Sequence, residues 1–339
     1  MTTDARRTVP PASSLRGGAG RGRAAAPSGP DDLDPTRPTG SDSPRSDKRR
    51  RGDGFWPWLF VAPLVLGVVV FYLWPIVQTA WISLTETGPF GGSTFSGIVN
   101  YLTLFADPQL YLSLVNTIIY TLIVLLGVPI SVYLASLLNL PGLRFASLYR
   151  VLFFLPYVAM PTAVAMVWRI IFNGDYGMLN YLLSLVGIQG PYWISTPGFS
   201  IVAVAIVGLW SSLGFSLIVL SAGLKNIPPE LYEAADLDGA SRWRQFRSIT
   251  VPLLSPTIFF VTIVTVISSF QLFDLLYAIL GSSNPVLPRS MSLVYFFYRE
   301  GFVNNDKGFA AAIAMVIFLI IGLVTVLQFR FQRKWVKGD

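Results

Sequence analysis

The residues best placed to do chemistry in this chain are Glu233-Ala234-Ala235-Asp236-Leu237-Asp238-Gly239-Ala240, continuing through Phe246 and Ile249 to Pro252 and Pro256. The chemistry they offer is recognition, not catalysis. The 339 residues include no histidine, so the commonest general base and metal ligand is missing, and with it most triads and zinc sites. They include no cysteine either, which excludes disulfides and thiol chemistry. What remains at these positions is a run of carboxylates, small residues and a glycine, followed by a basic, aromatic stretch.

Local rules divide the run into two helices. Pro228-Pro229 after Asn226-Ile227 is a favourable helix entry, because proline loses nothing in the first turn. Glu230 and Glu233 then lie near the positive end of the helix dipole. Tyr232, Ala235 and Leu237 supply an apolar side, and Ala234 and Ala235 allow another surface to approach closely. Asp238-Gly239 breaks the helix, with glycine as a left-handed cap. Ser241 is an expected N-cap for a second helix, Arg242 to Val251, carrying Trp243, Arg244, Phe246 and Arg247. Pro252 and Pro256 are expected to stop it. The basic half suits an anionic leaflet, with arginines in the headgroups and Trp and Phe below them. The acidic half does not: Glu230, Glu233, Asp236 and Asp238 would be repelled there, and a soluble protein partner accounts for them better.

The elements that must position this loop are membrane helices. Apolar residues make up 53% of the chain and charged residues 13%, against about 25% charged in ordinary globular domains. Residues 1–54 are rich in Pro, Gly, Ser, Asp and Arg and too polar to bury a core, so they are expected to form a disordered tail ending in the basic run Lys48-Arg49-Arg50-Arg51. Residues 55–335 are expected to form one membrane domain, with the loop at 224–253 and a short C-terminal tail at 336–339. Six segments have the length of membrane spans, near 57–83, 112–138, 147–172, 199–223, 254–280 and 309–330. Pro156 and Pro161 interrupt the third, as a structural kink or a hinge. The fold class is therefore an all-α integral membrane protein of six transmembrane helices.

Orientation follows from the basic residues in short loops. With a cytoplasmic N-terminus, the inner side holds the tetrabasic run, Arg144, Arg150, Lys225, Arg242, Arg244, Arg247, Arg330, Arg333, Lys334 and Lys337. The outer loops at 85–111, 173–198 and 281–308 hold only Arg289, Arg299 and Lys307, with Arg169 near a helix end. Both termini and the acidic loop are thus expected in the cytoplasm. The net charge of +7 lies almost wholly on that side, so it calls for no nucleic acid and selects no anionic cargo.

A pathway through such helices needs polar residues on one face. Thr262, Thr265 and Ser269 share a face of the fifth segment, and Ser211, Ser212 and Ser216 do so in the fourth. Helix packing uses the same residue types, so both readings stand. Gln271 and Asp274 are less ordinary in a membrane segment. Asp274 falls near the outer interface, lining a pathway or pairing with Arg169 or Arg289. Phe270, Phe273 and Tyr277 are suited to stacking on sugar rings or to an interfacial belt.

At the loop the sequence resembles the EAA motif of permease subunits in binding-protein-dependent ABC importers. Glu233-Ala234-Ala235, Asp238-Gly239-Ala240, Phe246, Ile249, Pro252 and Pro256 carry the likeness. Gly97-Ile98-Val99-Asn100-Tyr101 with Asn116-Thr117, Phe270-Gln271-Leu272-Phe273-Asp274 and Gly308-Phe309-Ala310-Ala311-Ala312 extend it from about Phe55 to Trp335. It is most similar to the sugar-type, MalF/UgpA-like branch, without the extra N-terminal helices and large outer domain that some of those subunits carry. The resemblance implies a type I ABC importer permease fold with a cytoplasmic coupling-helix loop, in a prokaryotic plasma (inner) membrane. It implies a second permease subunit, two ATPase subunits and an extracytoplasmic solute-binding protein as partners. Glu233 would then contact the ATPase and Gly239 would permit the sharp turn. ATP and Mg would sit on the ATPase, since this chain has no G-x-x-x-x-G-K-[ST] run and is expected to bind no cofactor itself. Two alternatives are a polytopic membrane enzyme, which would need clustered carboxylates or a phosphate nest at one interface, and a stand-alone secondary carrier, which would leave the acidic knob unexplained.

Overall fold

Helices dominate the architecture because every backbone polar group in a bilayer must be satisfied within its own segment or a closed sheet. The computed structural model describes residues 56–88, 92–140 and 142–335. The expected tails at 1–54 and 336–339, with the tetrabasic run, lie outside the described residues. Five helices are long and apolar enough to span a membrane, and six if one bent pair counts as a span. The only sheet among the described residues is a hairpin, β1 (Thr85–Thr87) with β2 (Ser93–Phe95), in antiparallel register Thr85↔Phe95.

The first span (Trp58–Ile82), the fourth (Phe199–Leu224) and the sixth (Lys307–Gln332) lie close to their expected limits. The second (Pro108–Leu138) begins earlier than expected, because Asp107 caps it by accepting from the Gln109 N–H at 2.8 Å and Pro108 opens its first turn. The third is not one straight rod. Helix Ala146–Val158 gives way to extended residues at Ala159 and Met160, and Pro161–Ile171 leaves at 99°. The residue before a proline is driven out of the helical region, so the break falls at Met160 while Pro156 is carried inside the first arm.

The fifth span departs most from expectation. Pro252 and Pro256 do not separate a surface helix from a membrane helix; one helix runs without interruption from Arg242 to Phe270. A π-turn at Phe246–Thr250 makes this feasible, with the Val251 N–H reaching back to the Phe246 carbonyl. Pro252 then sits in the first turn of the α-helical continuation, where its missing N–H costs little. The helix also ends sooner than expected. Gln271–Phe273 interrupt it, and Asp274–Leu280 is a separate short helix.

The fourth span is the hub, packed by the second, third and fifth. Two apolar clusters form around it. One, with Phe172, Ile201, Val204, Leu276, Leu293, Phe296 and Ile313, lies away from the acidic loop; the other, with Val132, Ala135, Leu217, Leu220 and Leu254, lies beside it. The first span packs its second half, Trp74–Ile82, on the sixth span but contributes no buried residue in its apolar window, so most of its surface must face lipid or another polypeptide.

The segment before the sixth span folds back onto the second. Asn116 donates to the Arg289 and Met291 carbonyls at 2.9 and 3.1 Å, and Thr117 Oγ1 accepts from the Leu293 N–H at 3.1 Å. Asn100, on the helix Val99–Ala106, likewise donates to the Ser83 and Thr85 carbonyls at 2.9 and 2.8 Å, holding that helix to the first strand of the hairpin, which meets the start of the sixth span. There a Cβ on Gly308 would lie 2.0 Å from the Thr85 carbonyl oxygen, so only glycine admits this approach. Residues 173–198 close around Asn180, which donates to the Gly174 carbonyl at 2.9 Å and accepts from Trp193 Nε1 at 2.7 Å. Nearby, Tyr192 donates to Asp175 at 2.8 Å, and that bond together with the carboxylate charge raises the phenol's pKa.

Candidate functional site

The acidic element is a helix, Glu230–Leu237, entered through Pro229. Its end is a complete Schellman motif. The Gly239 N–H donates to the Asp236 carbonyl at 3.0 Å, and the Ala240 N–H to the Ala235 carbonyl at 2.9 Å. Gly239 has φ +69°, and a Cβ there would meet nothing within 4 Å. The glycine is thus required by backbone conformation and not by crowding. Ser241 caps the next helix by accepting from the Arg244 N–H at 3.4 Å.

Glu233, Ala234, Asp236, Asp238 and Gly239 are exposed on this knob, while Ala235 and Ala240 are half-buried. Leu237 is 91% exposed at its tip. The Schellman cap fixes the end of the helix that carries this apolar side chain into solvent, and composition alone gave it no prominence. Tyr232 turns the other way and its hydroxyl shares a 3.0 Å hydrogen bond with Thr250 Oγ1, tying the knob to the fifth span. Gln245 Nε2 donates to Asp236 and to the Ala240 carbonyl. Between knob and span lies a notch of about 270 Å³ lined by Ala235, Asp238, Ala240, Arg244, Gln245, Ser248 and Ile249. Phe246 is half-buried against the loop-side apolar cluster, and Pro252 opens the helix above the π-turn.

A second cavity, of about 190 Å³, lies between the two apolar clusters at the middle of the fourth span. Tyr120 and Val124 line it from the second span, Tyr157 from the third, Gly208, Ser212, Phe215 and Ser216 from the fourth, and Val264, Thr265, Ser268 and Ser269 from the fifth. Four sequence-derived candidates, Ser212, Ser216, Thr265 and Ser269, thus meet in one place. Tyr120, Tyr157 and Phe215 join them as aromatic walls. Their contribution had no sequence signal, because an aromatic residue in a membrane helix looks the same whether it faces a cavity or a neighbour. Thr262 is back-bonded to the Ile258 carbonyl at 2.8 Å and is not part of the lining.

Gln271 and Asp274 are exposed beyond the end of the fifth span and do not reach the cavity. Neither Arg169 nor Arg289 pairs with Asp274: the one ion pair among the described residues is Arg299–Glu300 at 2.6 Å. Phe273 and Tyr277 stack on each other at 5.7 Å and join Tyr295 and Tyr298 in one aromatic cluster. No group of three or more Asp or Glu residues among the described residues could hold a metal ion.

The chain is thus a multi-pass helical bundle with a hydroxyl-lined cavity at the middle of its fourth span and an exposed, capped helix at one end. The chain belongs to the family of binding-protein-dependent transport system inner membrane components, whose model matches residues 127–337. Over 284 residues it is 32% identical to the sn-glycerol-3-phosphate transport system permease protein UgpA of Yersinia pestis bv. Antiqua (strain Antiqua), covering 83% of this chain and 95% of that one. Over 287 residues it is 32% identical to the arabinooligosaccharides transport system permease protein AraP of Bacillus subtilis (strain 168), covering 84% and 90%. Its fold matches a chain of a bacterial alginate ABC transporter, solved with a periplasmic protein bound to alginate pentasaccharide, with TM-score 0.72, 20% identity and coverage of 84% and 96%. It is accordingly a multi-pass inner-membrane permease subunit of an ABC importer, and a transport component rather than an enzyme.

Proposed function

We propose that this subunit passes a neutral carbohydrate or polyol, delivered by an extracytoplasmic binding protein, through the cavity at Tyr120, Tyr157, Ser212, Ser216, Thr265 and Ser269. The observation that carries the reading is the lining itself. It joins hydroxyl side chains, which exchange hydrogen bonds with sugar hydroxyls, to aromatic rings that pack on the apolar faces of a pyranose or furanose. No charged side chain lines it. The relatives named for an arabinooligosaccharide and for glycerol 3-phosphate bracket the solute class, and an uncharged lining favours the former kind.

The loop at 224–253 and both termini face the cytoplasm in this proposal, on the strength of the basic residues gathered at that end. The knob docks on an ATPase subunit, with Leu237 entering an apolar recess and Glu233, Asp236 and Asp238 facing basic residues. Two such ATPases hold ATP and Mg, and a second, different permease completes the pathway. Because the helix Arg242–Phe270 is unbroken, a push on the knob moves Thr265 and Ser269 directly. Tyr232–Thr250 and Gln245–Asp236 lock knob and helix into one lever.

The test is uptake in cells carrying the complete importer, using labelled neutral oligosaccharides, polyols and glycerol 3-phosphate as competing solutes. Competition by the neutral sugars supports the reading; competition by the phosphate alone overturns it. Orientation is checked separately, because the cysteine-free chain accepts single reporter cysteines cleanly. Labelling of a cysteine at Leu237 by a membrane-impermeant reagent from outside intact cells would reverse the assigned sides.

A further inference from the structure

The stretch after the knob has two unlike faces. Arg244, Gln245, Ser248 and Ile249 look toward the acidic helix and line the notch with Ala235 and Asp238. The other face is set by spacing: Trp243 and Phe246 are three residues apart, and Arg242–Phe246 and Trp243–Arg247 are four apart, so these side chains lie together. Trp243 stacks on Phe246 at 5.4 Å with 26° between ring planes, and Phe246 meets Tyr133 edge-on at 5.9 Å. Tyr133 belongs to the second membrane span, near its loop-side end, and is 48% exposed. The three rings thus form a ladder from the outward surface of a spanning helix to Trp243, which is 63% exposed. Arg242 and Arg247 flank the ladder, and both are exposed.

We propose that this face is a binding site for anionic phospholipid headgroups, with Trp243 at the boundary between headgroup and acyl chain and Arg242 and Arg247 on the phosphates. Continuity with Tyr133 carries the depth assignment, because a surface contiguous with a spanning helix lies at the bilayer edge. Charge carries the choice of lipid: two cations at this edge attract an anionic leaflet, and their carboxylate neighbours Asp236 and Asp238 are held on the knob side. The acidic knob then points away from the lipid while the basic face rests on it, which holds the knob at a defined angle. The site rests on the proposed orientation only for the name of the leaflet. A reversed orientation leaves the lipid preference intact, so the two readings fail separately.

The experiment uses the full chain purified in detergent and exposed to mixtures of phosphatidylglycerol and phosphatidylcholine, with retained lipid counted by native mass spectrometry. The wild type should retain phosphatidylglycerol preferentially. R242Q/R247Q should lower that preference on the order of tenfold, since each basic residue at the surface contributes a sizeable share. R244Q, on the notch side, should leave it unchanged. An unchanged preference in R242Q/R247Q overturns the proposal. So does an unchanged preference accompanied by loss of ATPase co-purification, which would give this face to the protein partner. If the double variant fails to accumulate, quenching by lipids brominated near the headgroup decides. Wild type should be quenched more than Trp243→Phe, and equal quenching overturns the site.

Discussion

Gly239 shows how much a single residue can be asked to explain. Its φ of +69° forces a left-handed cap, and the space where a Cβ would stand is empty. Any cost of substitution is therefore conformational, about 1–2 kcal/mol for an ordinary residue and more for a β-branched one. We expect Gly239→Val to insert and accumulate normally while solute uptake falls at least severalfold. Gly239→Asn should retain most of the uptake, because asparagine tolerates this conformation. Normal uptake by the valine variant would remove the docking role from the turn. Leu237 makes the complementary case. At 91% exposure it contributes little to folding, so Leu237→Ser should leave thermal stability unchanged and weaken ATPase co-purification. The glycine was legible in the sequence because Asp-Gly after a helix has few conformational options. The leucine was not, because its importance depends on which way the helix faces.

At the scale of elements, the loop between the short helix Asp274–Leu280 and the sixth span is fastened to the second span by Asn116. Removing that amide leaves two carbonyls short of a donor, a loss of about 1–3 kcal/mol. Asn116→Ala should therefore raise hydrogen exchange at residues 289–293 while leaving the Glu230–Leu237 knob unaffected; exchange unchanged at 289–293 would show the contact to be incidental. The spans themselves were legible from length and apolarity. Their interruptions were not. Pro161 marked a break but not a 99° turn, since a proline dictates local dihedrals, whereas the second arm takes its direction from packing on Asp274–Leu280 and of Trp168 on Trp210. Pro252 read as a stop and proved compatible with a continuous helix, because the π-turn beneath it absorbs the missing donor.

At the scale of the molecule, loop and cavity sit on the same helix, so substitutions in each should separate coupling from passage. Ser216→Leu with Ser269→Leu fills the cavity with apolar volume and removes two hydroxyls. Uptake should be lost while the ATPase still co-purifies with the permease. Glu233→Ala with Leu237→Ser should do the reverse to assembly, lowering ATPase recovery with the cavity intact. If both pairs gave the same pattern, the cavity and the knob would not be the separate sites described above.

Composition was enough by itself to determine an integral membrane protein, and capping signals a helical knob before Gly239, because solvation in a bilayer and helix capping are local rules; that it is a permease rested on the likeness of the Glu233–Pro256 run to a family motif. Serines and threonines at helical spacing named faces but not neighbours. Only the tertiary structure decided that Ser212, Ser216, Thr265 and Ser269 converge with Tyr120 and Tyr157 on one cavity while Gln271 and Asp274 lie beyond it. The physical reason is that convergence depends on where helices end and cross. Those features follow from packing between segments far apart in the chain, which no local rule encodes.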